Sequence, residues 1–244
     1  FADDRIGRRF AEALAERARA GVEVNLIYDA IGSVETAEDF FESMRRSGVR
    51  VLEFHPVAPW RARWRLGTIF RRDHRKLLVV DNHLAFTGGL NIGDRWAPPE
   101  EGGEGWRDTV VRLEGPAARE LQALFWETWL GHYDSDAPIR ERSLPPRGVA
   151  DCPVRVLGSR ARQGRRTIRH AYLYRTYYAR RFLYVTNSYF VPDRVVRRGL
   201  IRAARRGVDV RVMVPSKSDL WFVAMAGRAV YERLLAGGVR VFEW

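Results

Sequence analysis

Two stretches near opposite ends of this 244-residue chain repeat one another. Arg19-Ala20-Gly21-Val22-Glu23-Val24-Asn25-Leu26 is matched by Arg205-Arg206-Gly207-Val208-Asp209-Val210-Arg211-Val212, and Gly48-Val49-Arg50-Val51-Leu52-Glu53-Phe54 by Gly238-Val239-Arg240-Val241-Phe242-Glu243-Trp244. Each match reads as the end of a helix, a glycine stop and a β-branched strand. The two matches lie 27 residues apart in the first half and 31 in the second. Ordered matches at like spacing indicate a duplicated unit. Helices alternating with strands over short connections restrict each half to an α/β sandwich with a mostly parallel, mixed sheet.

The remaining elements follow from periodicity and punctuation. Residues 5–20 place Ile6, Phe10, Leu14 and Ala18 on one helical face, with Asp3 or Asp4 as N-cap and Gly21 as stop. A strand over 22–28 follows, then a helix over 36–46 with a capping-box pattern from Thr36, and a strand over 49–54. Strands are also expected at 106–113, 154–157, 182–191 and 208–214, and helices at 116–130, 167–180 and from Asp193 to Arg206. Phe125, Trp126 and Trp129 read as core. Tyr133 to Arg147, with three prolines and mixed charge, reads as a linker. The expected organisation is a first half over 1–133, a linker over 134–150 and a second half over 151–244.

The chemistry concentrates in Asp73-His74-Arg75-Lys76-Leu77-Leu78-Val79-Val80-Asp81, followed by Phe86-Thr87-Gly88-Gly89-Leu90-Asn91. Leu77 to Val80 reads as a buried strand ended by the turn-like pair Asp81-Asn82. His74 and Lys76, two apart at its start, share a face in an extended chain. A nucleophile beside a fixed cation suits an anionic substrate such as phosphate. The chain has 42 Lys and Arg, of which only Lys76 and Lys217 are lysine. A compact ammonium at position 76 is therefore a specific choice over a planar guanidinium.

His74, Lys76, Asp81 and the Gly88-Gly89-Leu90-Asn91 segment resemble the first catalytic motif of the phospholipase D superfamily, and most closely its bacterial cardiolipin synthase branch. The similarity continues through Gly105-Trp106-Arg107-Asp108-Thr109, Tyr189-Phe190-Val191-Pro192-Asp193 and Val214-Pro215-Ser216-Lys217-Ser218-Asp219. One departure is local: many members carry Ser where Gly89 stands. The resemblance implies two α-β-α halves about a pseudo-twofold axis. His74 follows Phe54 by 20 residues, and the counterpart of Phe54 is Trp244, the last residue. A second His-x-Lys motif would thus fall at about position 264. The counterpart of 182–189 would precede Phe1. The expectation is an internal fragment whose second half is incomplete.

The resemblance also implies roles. His74 would attack phosphorus to give a phosphohistidine, and a second alcohol or water would then accept the phosphoryl group. Lys76 and Asn91, with the backbone near Gly89, would hold the non-bridging oxygens. Asp108 is the candidate for orienting the His74 imidazole, as a carboxylate does in Ser-His-Asp systems. Asp81 caps its turn. Lys and Asn supply the electrophilic role, so no metal or other cofactor is expected. General acid catalysis by the equivalent histidine of the second half would contribute about 10²–10⁴-fold. The isolated stretch is therefore expected to be nearly inactive unless a homodimer pairs two copies of His74.

Composition narrows the partner without choosing it. A net charge of +12 and a pI of about 10.6 call for an anionic partner, either a membrane surface or nucleic acid. Trp60-Arg61-Ala62-Arg63-Trp64 suits a lipid headgroup interface or nucleic-acid bases. Arg160 to Arg169, followed by Tyr172, Tyr174, Tyr177 and Tyr178, is either a solvated basic face or a lipid-binding patch. One cysteine, Cys152, excludes an internal disulfide framework and fits a reducing compartment. No run of 18 apolar residues is present. Three functions compete: a transphosphatidylase acting on phosphatidylglycerol at the cytoplasmic face of a bacterial inner membrane, a nuclease of the same superfamily, and a non-catalytic binder of anionic lipid or nucleic acid. The first is favoured because the resemblance extends into the loops around the motif.

Overall fold

The computed structural model describes residues 1–57, 72–131, 152–158 and 165–244. The Trp-Arg stretch around Trp60 and the expected linker lie outside these. Contacts divide the chain into two compact units, Phe1–Val156 and Leu157–Trp244.

In the first unit, α1 (Arg5–Arg19) is capped by the Asp4 carboxylate, which accepts from the Gly7 N–H at 2.8 Å. It leads through Gly21 to β1 (Asn25–Asp29). Then α2 (Glu38–Arg46) leads through Gly48 to β2 (Arg50–Phe54), which lies parallel to β1. Both helices cover this pair through Ala11, Phe41 and Met44, packed with Tyr28, Val49 and Val51. The Tyr28 and Phe41 rings stack at 3.7 Å. The expected capping box at Thr36 does not form. Its hydroxyl donates to the Phe1 carbonyl at 2.8 Å, and Ala37 occupies the N-cap without a side-chain bond.

The next three strands form an antiparallel sheet, the first two joined by a tight turn and the last two by the long connection over 89–109. They are β3 (Lys76–Val80), β4 (Leu84–Gly88) and β5 (Val110–Glu114). Asp81 and Asn82 both take positive φ, 50° and 56°, the signature of a hairpin turn that side chains of this type tolerate. The strand expected from 106 starts only at Val110. The α3 helix (Pro116–Leu130) packs on this sheet, with Ala118 and Leu121 against Ala85 and with Trp129 buried. Phe125 and Trp126 are only half-buried, at ring contacts with Trp129.

In the second unit, α4 (Arg165–Tyr178) precedes β6 (Phe182–Thr186), and α5 (Arg194–Arg205) precedes β7 (Asp209–Val214). The short helices α6 (Trp221–Arg228) and α7 (Tyr231–Ala236) precede β8 (Arg240–Glu243). The three strands form a parallel sheet in the order β6-β7-β8. Residues 154–157 form no strand. Val156 instead packs with Ala85, Ala118 and Leu121 of the first unit.

The duplication is confirmed bond by bond. Gly21, Gly48, Gly207 and Gly238 have φ of 85°, 93°, 89° and 84°. At each, the valine that follows donates back five residues to a helix carbonyl: Val22 to Arg17, Val49 to Met44, Val208 to Ala203 and Val239 to Leu234. This is the left-handed helix terminus that closes a last turn and throws the chain into a strand. The strand register is duplicated too. Asn25 faces Arg50 in the first unit, and their counterparts Arg211 and Arg240 face each other in the second. Ala30 N–H bonds the Phe54 carbonyl, as Ser216 N–H bonds that of Trp244.

A Cβ on Gly207 would meet no atom within 4 Å, so Gly207→Ala carries only the cost of its left-handed φ. Chemical denaturation should show a loss of about 1 kcal/mol, with Gly207→Asn losing less.

Candidate active site

The site grows from the carboxyl end of β1, where Asp29 ends an apolar strand. Its carboxylate accepts from the Ile31 and Gly32 N–H groups, both at 3.0 Å, and from the Asp73 N–H at 3.1 Å. Arg72 closes the cluster as a fork, with Nη2 at 2.9 Å and Nε at 3.0 and 3.1 Å from the two oxygens. The same guanidinium donates to the His55 carbonyl at 2.9 Å, beyond the end of β2. The Asp29 and Arg72 side chains are 15% and 19% exposed, so this bidentate pair is shielded from water and fixed in direction.

On the other side of His74, Arg75 turns toward α3. Its Nη2 donates to Thr128 Oγ1 at 2.5 Å, and its Nε donates to Asp73 at 2.8 Å. Burial pushes the Asp73 carboxyl upward, but the Arg75 side chain and N–H outweigh it and hold it below the usual value. His74 is thus suspended between one clamp to β1 and another to α3. Its own side chain is exposed, and no hydrogen bond reaches its imidazole among the described residues.

Lys76 opens β3, and its ammonium donates to the His74 carbonyl at 2.8 Å. Burial, then the charge of Lys76, lower the His74 imidazole below its ordinary 6.5. Burial likewise lowers Lys76, opposed by Asp73, Asp108 and Asp29. A neutral imidazole beside a partly desolvated ammonium is a nucleophile next to an oxyanion holder.

Lys76 pairs with Gly88 across the sheet, and Gly88 with Val110. A Cβ at Gly88 would lie 2.2 Å from the Thr109 carbonyl oxygen, so only glycine lets the strands close there. At Gly89 a Cβ would lie 2.2 Å from an Asp108 carboxylate oxygen. The space that a side chain at Gly89 would fill is occupied by that carboxylate. Beyond Asn91 the loop is tied to α1: Asp94 N–H donates to Asp4 at 2.6 Å, and Ile6 N–H donates to Asp94 at 2.9 Å. Asn91 is half-buried, three residues before these anchors.

The expected site residues therefore separate. His74, Lys76, Gly89 and Asn91 belong to the strand mouth and the loop beside it. Asp108 lies before β5, not on it. Its carboxylate accepts from the Thr109 N–H at 2.6 Å and is a charge felt by Lys76, and no hydrogen bond joins it to His74. The carboxylates felt by His74 are Asp29 and Asp73. Asp81 sits at the far end of β3, about 20 Å from His74 along extended chain. Asp29 was not singled out in the sequence. Its signal was an acid at the carboxyl end of a parallel strand before Gly32-Ser33, the edge where such sheets bind ligands. Among the described residues no three of His, Cys, Asp and Glu are placed to share a metal ion.

An imidazole and an ammonium at a strand mouth, beside a Gly-Gly-x-Asn loop in duplicated α/β units, define a phospholipase D-like protein. A family profile described as "Cardiolipin synthase, PLD-like domain" matches residues 5–129 and 177–244, and the chain belongs to that family. Cardiolipin synthase 1 of Bacillus cereus is 31% identical over 252 residues, covering 100% of this chain and 49% of the relative. Cardiolipin synthase of Geobacillus thermodenitrificans is 34% identical over 243 residues, covering 99% and 48%. The chain thus spans about half the length of the curated relatives it matches. In fold it resembles a polyphosphate kinase from Porphyromonas gingivalis, with a TM-score of 0.50 and 17% identity over 90% of this chain and 33% of that one.

Two outcomes follow. In an NMR titration the His74 imidazole should have its midpoint below 6.5, and Lys76→Met should move it upward, because it removes a charge that disfavours the imidazolium. Asp29→Ala leaves Arg72 without its carboxylate and should cost roughly 2–3 kcal/mol in chemical denaturation.

Proposed function

We propose that the protein is a phosphatidyltransferase of the cardiolipin synthase type, with phosphatidylglycerol as its lipid substrate and His74 as its nucleophile. The observation that carries this reading is the exposed His74 imidazole, kept neutral beside the Lys76 ammonium and held on both sides by Arg72 and Arg75. The family supplies the substrate class.

In the first step a nitrogen of His74 bonds to the phosphorus of one phosphatidylglycerol. The phosphorus–oxygen bond to the head glycerol breaks, and the departing oxygen takes a proton. In the second step the free glycerol hydroxyl of another phosphatidylglycerol loses its proton and attacks the same phosphorus. This releases the imidazole and forms cardiolipin. Lys76 supplies a point charge to the non-bridging oxygens, and Asn91 a neutral donor, as charge builds on them. Asp108, set against Gly89 and close in charge to Lys76, keeps that ammonium protonated and turned to the site. Asp29 and Arg72 are positioning residues that fix the approach of the imidazole.

The reading carries a location with it. A substrate dissolved in a bilayer places the protein against a membrane surface, and we assign it to the cytoplasmic face of the inner membrane. A homodimer is one way to bring a second histidine to the site as the proton donor. The two-half organisation, 1–133 and 151–244 about a linker at 134–150, is part of the same proposal.

The intact protein, incubated with phosphatidylglycerol vesicles, should form cardiolipin and free glycerol in equal amounts. His74→Ala should lower the rate by at least about 10⁴-fold, because it removes the covalent route. Phosphodiester cleavage of soluble oligonucleotides without cardiolipin formation would replace this reading with the nuclease.

A further inference from the structure

The charge of the chain is segregated. Residues 157–244 carry 19 Lys and Arg against 5 Asp and Glu, a formal +14, while residues 1–156 carry 23 against 25, a formal −2. The whole positive excess belongs to the unit without the His-x-Lys motif.

Within that unit, α4 is held on one side only. Thr176 is buried, and a Cβ on Gly199 of α5 would come within 3.0 Å of it, so the two helices touch closely there. Arg206 caps the carboxyl end of α4, donating to the Thr176 and Tyr177 carbonyls at 3.2 and 2.8 Å. The opposite side is open. Tyr174, Tyr177 and Tyr178 are 58%, 69% and 56% exposed, yet their rings touch, at 4.4 Å between Tyr174 and Tyr178 and 4.9 Å between Tyr177 and Tyr178. Arg175, Arg180 and Arg181 are exposed beside this cluster in sequence, and no carboxylate pairs with their side chains among the described residues.

We propose that this face of α4, the Tyr174–Tyr177–Tyr178 cluster with Arg175, Arg180 and Arg181, docks the protein on an anionic phospholipid bilayer. The proposal rests on the phosphatidyltransferase reading for its choice of partner. Tyrosine sits at the headgroup level of a membrane because its ring is apolar and its hydroxyl is wet. Arginines beside it meet lipid phosphates, each contributing about 1 kcal/mol to partition onto an anionic surface. Nucleic acid would use such tyrosines differently, as separate platforms with free ring faces for bases. Here the rings meet one another, and the Arg206 guanidinium lies over Tyr177 at 5.9 Å. They make one contiguous aromatic cluster, its rings tilted at 42° and 78°, which suits a surface and not a threaded strand.

The test is vesicle sedimentation with the intact protein carrying His74→Ala, so that the lipid is not consumed. Vesicles of equal parts phosphatidylglycerol and phosphatidylcholine should bind it, and pure phosphatidylcholine vesicles should not. The triple variant Arg175→Glu/Arg180→Glu/Arg181→Glu should weaken partition at least about a hundredfold. The triple variant Tyr174→Ser/Tyr177→Ser/Tyr178→Ser should weaken it less and leave its salt dependence intact. Thermal melts unchanged from the parent show that both variants are folded. Unchanged binding by the charge-reversed variant, or equal binding to both kinds of vesicle, overturns the proposal. So does a single-stranded oligonucleotide that displaces the vesicles and itself fails to bind that variant. Turnover of detergent-solubilised phosphatidylglycerol by protein with His74 intact keeps the two readings apart. Cardiolipin formed in micelles by a protein that ignores vesicles defeats the docking face alone. Vesicle binding lost in the charge-reversed variant, with no cardiolipin in either format, defeats the activity alone.

Discussion

The end of the first unit that carries His74 depends on the carboxylate of Asp29. It ends β1 and gathers three backbone N–H groups and the Arg72 fork, and Arg72 in turn reaches the carbonyl beyond β2. The parallel pair and the antiparallel sheet share no ladder hydrogen bonds, so this cluster is what references His74 to β1 and β2. A buried ion pair is a poor source of net stability, because desolvation consumes most of the attraction. Its value lies in geometry. A planar fork on a carboxylate permits few orientations, and the residue two places after Arg72 inherits that restriction.

The second constraint is steric. The strand bearing Lys76 is paired with Gly88, and the oxygen of Thr109 fills the space where a side chain on Gly88 would stand. The close approach brings the 108–110 backbone against the Gly-Gly turn and fixes where Asn91 begins its loop. At Gly89 the missing side chain is replaced by the Asp108 carboxylate, an anion near the Lys76 ammonium. Part of the cost of burying that ammonium is thereby offset.

How legible this was depended on the range of the interaction. The four glycine junctions were readable, because a left-handed helix terminus is a local event with a local residue signature. Helices α1, α3 and α5 followed from periodicity and caps. The strand limits at 106 and 191 were overextended, because an apolar run does not say where its ladder partner stops. At Thr36 the capping pattern was present, but its hydroxyl found a tertiary acceptor in Phe1. His74, Lys76 and Asn91 stood in a motif. Asp29 did not, since its partners Arg72 and Asp73 lie 43 and 44 residues away in sequence and nothing local marks them. For the same reason Asp108 could be assigned to the site from sequence but not to its neighbour there, which is Gly89 and the charge of Lys76.

The distribution of charge adds a last step. The unit holding His74 is near neutrality, so the attraction it would offer the proposed phosphodiester is that of Lys76 over a few ångströms, in a place where burial weakens screening. The excess of the other unit acts differently. Its described arginines are mostly exposed, and salt screens them beyond about 10 Å. Such a field cannot select one phosphorus atom, but it can concentrate a partner whose charge is itself spread over a surface. Selection and concentration are thus separate physical tasks, and the two proposals made above place them on different elements: one compact ammonium on a clamped strand for the first, and the arginines around the end of α4 for the second.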